Sequence, residues 1–85
     1  MLFANGDRAI TGQFNRDVIA NLENDFLKDK SLIQSDYIEG VSFTKDTITV
    51  FYDPIQVMEN EKTIEPSLYI MSRLEPILNS YSEVS

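Results

Sequence analysis

Two runs of strand-forming residues, three positions apart, limit most strongly what this chain can fold into. Tyr37 to Phe43 and Thr47 to Tyr52 are rich in aromatic and β-branched residues, and Thr44-Lys45-Asp46 separates them, which describes a β-hairpin. In the second run Ile48, Val50 and Tyr52 share one face, and Thr47, Thr49 and Phe51 the other. The large aromatic among the threonines predicts partial cover for that second face. Asp53-Pro54 ends the strand, because proline offers no ladder donor and restricts the residue before it.

The flanking segments supply the rest of an α+β domain. After the turn signal Asn5-Gly6-Asp7, Arg8 to Phe14 reads as a strand with Ile10 and Phe14 on one side and a bulge at Gly12. Asn15 then caps a helix expected to run to Lys30, with Asp17 at its positive end and an apolar stripe of Val18, Ile19, Leu22, Phe26 and Leu27. Ile55 to Thr63 mixes apolar and charged residues and predicts one helical turn. Pro66 opens a second amphipathic helix through Leu68, Met71, Leu74, Leu78 and Tyr81, which Pro76 is expected to kink or divide. Ser82-Glu83-Val84-Ser85 reads as an onward connection.

The order is βαββα, with no repeat or linker, so residues 1–85 are expected to form a single domain. A small antiparallel sheet with two helices on one face is the economical arrangement: a ferredoxin-like split βαβ unit lacking its last strand. In that scheme the missing strand pairs with the first. Arg8 to Phe14 is therefore expected to be an open edge, predicting a homodimer through that strand.

Composition narrows function. Fourteen acidic against seven basic residues give a net charge of −7, which argues against nucleic acid and anionic membrane surfaces as partners. The absence of cysteine removes disulfides, thiolate chemistry and Cys-based metal sites, and suggests a reducing cytoplasm. The residues from Met1 to Asp7 do not resemble a signal peptide.

Without His or Cys, base chemistry and metal ligation rest on carboxylates alone. Asp17, Glu23, Asp25 and Asp29 on the first helix, with Asp25 and Asp29 as neighbours, and Glu59, Glu61 and Glu65 before the second read as solvated faces. Gly6 and Gly12 build no phosphate loop, and the serines and threonines lack a base. No catalytic, cofactor or metal residue is assigned. Met58, Met71, Tyr37, Tyr52 and Tyr81 read as packing residues, whereas Tyr69 lies off the helical stripe, toward solvent or a partner.

Two segments carry a family resemblance. Gly6-Asp7-Arg8-Ala9-Ile10 is similar to an opening G-D-x-A-[ILV] strand. Ile38-Glu39-Gly40-Val41, followed by Ile48-Thr49-Val50-Phe51-Tyr52-Asp53-Pro54, is similar to a hairpin ending in [LV]-x-V-x-Y-D-P. In this order they resemble the N-terminal domain of the carboxyltransferase C/D family, which includes allophanate hydrolase subunit 1, the B-type subunit of 5-oxoprolinase and a Kip-type histidine kinase inhibitor. That family places one helix between the segments and another after Y-D-P, so the resemblance spans nearly the whole chain. The stretch from Phe14 to Asn15 is shorter than the family's, and its second domain, a cyclophilin-like barrel, has no counterpart here. A cut at the domain boundary or a shortened gene is the expectation.

The resemblance implies an accessory subunit that joins a sister subunit in ATP-dependent amide or lactam hydrolysis, without catalysis by this chain alone. Its second implication, after that one, is a regulator that binds and inhibits a sensor histidine kinase. Apart from the family, the chain reads as a free-standing ferredoxin-like interaction module.

Overall fold

The computed structural model of the chain describes residues 2–33 and 36–83; Met1, Val84 and Ser85 of the segments read above lie outside them. The described elements follow in the order β1 (Leu2–Ala4), β2 (Ala9–Gln13), α1 (Arg16–Lys28), β3 (Ile38–Phe43), β4 (Thr47–Tyr52), α2 (Pro54–Glu61) and α3 (Pro66–Glu83), with a 3-10 turn at Lys30–Ile33. The strands form one antiparallel sheet in the order β1-β2-β4-β3. This is the α+β class that the sequence predicts, and its helices pack on one face.

The alternation in β4 sets that face. Ile48, Val50 and Tyr52 are buried and join Ile10 from β2, Ile19 and Leu22 from α1, Val57 from α2 and Ile70, Leu74 and Leu78 from α3 in one core. Burying each such aliphatic side chain contributes on the order of 1.5–3 kcal/mol. Phe26 and Phe43 close one side of the core, their rings 5.7 Å apart.

Several expectations are corrected. The edge of β2 is not open: Leu2, Phe3 and Ala4 pair with Gly12, Thr11 and Ile10, so β1 occupies the slot that the split βαβ scheme reserves for a strand after the second helix. The premise of a homodimer through residues 8–14 is thereby removed. Asn5-Gly6-Asp7 is the turn of this extra hairpin, with Gly6 at φ 80°, a region that glycine enters without steric cost, and the Asn5 amide donating to the Ala9 carbonyl at 2.8 Å.

Gly12 is also not a bulge. The ladder runs through it, opposite Leu2 and Ile48, and a Cβ there would meet Phe14 Cε2 at 2.8 Å and Leu2 Cδ2 at 2.9 Å. Glycine makes room for two apolar side chains. The bulge falls in β3, between Ile38 and Gly40.

The helices differ from expectation in length and phase. In α1 the Asn15 side chain accepts from the Val18 amide at 3.0 Å, as the cap requires, but the helix stops at Lys28 with Asp29 as its C-cap. Leu27 is exposed rather than part of the stripe, because at 100° per residue it points 140° away from Leu22. The segment after Tyr52 forms two turns, not one: the Asp53 carboxylate accepts from the amides of Ile55 and Gln56 at 3.0 and 3.3 Å, and Pro54 occupies the first helical position. The buried face of α3 is Ile70, Leu74 and Leu78, so Leu68, about 200° from Ile70, is exposed. α3 continues undivided through Pro76, which sits on the exposed side, where water can serve the carbonyl that loses its amide partner.

Candidate functional site

Of the carboxylates read from the sequence, Asp25, Asp29 and Glu61 take hydrogen bonds within the fold, each with a different partner. On α1, Asp25 accepts from the Tyr81 hydroxyl at 2.7 Å, tying the helix to the end of α3. Burial, and then this hydrogen bond, push the Tyr81 phenol up to about 12. Asp29 accepts from the Ser31 hydroxyl and amide, which hold its carboxyl below the usual aspartate value. Glu61 on α2 accepts from the Tyr37 hydroxyl, and this bond, followed by desolvation, raises the Tyr37 phenol to about 12. Asp25 and Asp29, expected as neighbours, thus serve different partners. Among the described residues, no group of three acidic side chains is arranged to hold a metal ion.

Hydroxyl groups serve the backbone in the same way. Ser72 donates to the Tyr69 carbonyl, Ser80 to the Ile77 carbonyl, and Thr44 organises the β3–β4 turn by accepting from the Thr47 amide at 3.0 Å. Tyr69 packs edge-on against Tyr37, with ring centroids 6.2 Å apart, so it is half-buried and not the free aromatic that its helical phase suggested.

The two segments that resemble the carboxyltransferase family hold structure. Ala9 and Ile10 are buried in β2, Tyr52 is buried beneath α2, and Asp53-Pro54 is the cap and first position of that helix. A motif of this kind turns a strand sharply into a helix and fixes where the helix begins.

The other face of the sheet lies opposite the core. Registry assigns it Phe3 from β1; Ala9, Thr11 and Gln13 from β2; Thr47, Thr49 and Phe51 from β4; and Gly40 and Ser42 from β3. None of these nine positions is charged, in a chain of net charge −7. The Arg8 and Glu39 side chains, near the bulged end of the sheet, pair with each other at 3.7 Å. The face is partly covered, as the sequence suggested: Ala9 and Thr11 are buried and Thr47 and Thr49 half-buried, while Phe3 and Phe51 remain 43% and 42% exposed. Between them Asn5 Nδ2 donates to Thr11 Oγ1 at 3.1 Å, and Thr11 Oγ1 shares a hydrogen with Thr49 Oγ1 at 3.1 Å.

Phe3 escapes sequence reasoning because β1 is only three residues long, too short to show a period. The detectable signal is the uncharged Thr-x-Thr-x-Phe alternation of β4.

The chain matches no family model, no curated protein and no solved structure. Among the described residues no helix is long and apolar enough to cross a membrane. The surface that stands out is an uncharged aromatic sheet face.

Proposed function

We propose that this chain is a protein-assembly domain that works as part of an accessory subunit of an ATP-dependent amide or lactam hydrolase, as in the carboxyltransferase C/D family it resembles. One observation carries the reading: the open sheet face. Covering a surface with a partner is costly when charges lose water or polar groups lose their hydrogen bonds. On this face there is no charge to strip, and the Thr11 and Thr49 hydroxyls already satisfy each other. Phe3 and Phe51 provide half-exposed aromatic anchors, a residue type enriched at interface cores.

The occupant is the sister subunit of the hydrolase. In this reading the domain contributes a surface rather than a catalytic group; Asp25, Asp29 and Glu61 serve internal hydrogen bonds. Co-expression with a candidate sister subunit, followed by affinity capture, tests this. A stable complex is expected. Capture of a sensor histidine kinase in its place, or of neither, overturns the hydrolase reading.

A further inference from the structure

The corner where α2 meets α3 carries a second surface of different character. Ile55 and Met58 on α2, Ile64 in the connection and Leu68 in the first turn of α3 are all exposed, Ile64 at 92%. Ile64 contributes nothing to the core. Together these side chains expose on the order of a few hundred Å², the size at which apolar patches on small proteins mark interaction sites.

They do not form a flat patch. Met58, Ile64 and Leu68, with Pro54 and Pro66, line a cavity of about 430 Å³ whose inner wall is Tyr52. A cavity of this size accepts one large side chain from outside.

The charge around it has one sign. Asp7 and Glu65 line the same cavity, and among the described residues no basic one does. The segment from Asp53 to Glu65 holds four carboxylates, Asp53, Glu59, Glu61 and Glu65, against the single Lys62. The positive end of α3 at Pro66 amounts to only about half a charge, which the two lining carboxylates outweigh.

We propose that this corner is a docking seat for a segment of a partner protein that inserts one aromatic or long aliphatic side chain flanked by lysine or arginine. The inference rests on the assembly reading above for its biological setting, but not on the sheet face. The apolar anchor fills the cavity, and the flanking cations meet Asp7 and Glu65 at the rim, where complementary charge sets orientation and on-rate.

The test uses the chain itself and a fluorescein-labelled peptide, Lys-Lys-Leu-Phe-Lys-Lys, followed by anisotropy at low and high salt. Two control peptides replace the lysines by glutamate or the Leu-Phe pair by Ser-Ser. The basic apolar peptide is expected to bind at least about tenfold more tightly than either control, and less tightly as salt rises. Ile64→Ser/Leu68→Ser, which leaves the core untouched, is expected to weaken binding at least about tenfold, and Asp7→Asn/Glu65→Gln to flatten the salt dependence. Binding no tighter than the controls, or indifferent to Ile64→Ser/Leu68→Ser in a variant that melts like the parent, overturns the inference. The two readings fail separately. Capture of a sister subunit with no binding of the peptide removes the seat alone, and peptide binding with no sister subunit retained removes the hydrolase reading alone.

Discussion

Truncating the same kind of aliphatic side chain at two positions separates core from surface. Val50 sits mid-strand in β4, opposite Ile10 on one side and Val41 on the other, and is 1% exposed. Val50→Ala removes two buried carbons, about 1.6 kcal/mol at ~0.8 kcal/mol each. The gap left by two methyl groups, on the order of 50 Å³, adds about 1 kcal/mol at ~24 cal/mol per Å³ where the surroundings do not collapse. The expected loss is therefore about 2–3 kcal/mol, against a total stability of roughly 4–13 kcal/mol for a chain of this length. That corresponds to a fall in Tm of roughly 10–20 °C. Ile64→Ala, at a nearly fully exposed position, is expected to stay within about 0.5 kcal/mol. Urea melts with a common slope read both variants. A Val50→Ala melt indistinguishable from the parent, or an Ile64→Ala loss above about 1 kcal/mol, would show that the core has been assigned to the wrong face.

Three further outcomes follow from other contacts. Asp53→Ala should cost about 1 kcal/mol by removing the α2 cap, seen as a lower urea midpoint, whereas Asp53→Asn, which can still cap, should recover most of it. Because the Tyr37 and Tyr81 phenols are raised from 10.0 to about 12 in the fold, their bonds to Glu61 and Asp25 stabilise fully below pH 10, and that contribution disappears as pH rises from 10 through about 12. Ultraviolet titration of Tyr37→Phe and Tyr81→Phe should accordingly delete late-titrating phenolate, and an early-titrating loss would contradict the bonds. Removing residues 1–5 strips β1 from β2 and leaves residues 9–13 as an unpaired edge, so sedimentation should show concentration-dependent association that the intact chain lacks.

Legibility in the sequence followed element length and period. The β3–β4 hairpin, the α1 cap at Asn15 and the burial of Ile48, Val50 and Tyr52 were readable because strands of six residues and a helical pattern several turns long sample their periods more than once. β1 was not, since Leu2-Phe3-Ala4 is too short to distinguish a strand from a tail, and overlooking it inverted the expected state of the β2 edge. The phase of α3 failed for another reason. Leu68, Met71 and Leu74 step by three as plausibly as Ile70, Leu74 and Leu78 step by four, and only packing against the sheet selects the second set. Tyr69 then falls beside Tyr37, a contact between residues far apart in the chain that no local pattern encodes. The candidate surfaces were harder still, because an uncharged sheet face is assembled from four strands and emerges only once their register is known.

Assembly through the face of the sheet that carries no helix is directly measurable. Calorimetric titration of the sister subunit into the intact chain and into Phe3→Ser/Phe51→Ser reads the role of that face, with Leu27→Ser, at an exposed position of α1 outside both surfaces, as a control and thermal melts to confirm folding. The predicted result is an affinity at least about tenfold weaker for the double phenylalanine variant, more than about 1.4 kcal/mol of binding free energy. An unchanged affinity in a folded Phe3→Ser/Phe51→Ser chain would contradict the claim that this face makes the assembly.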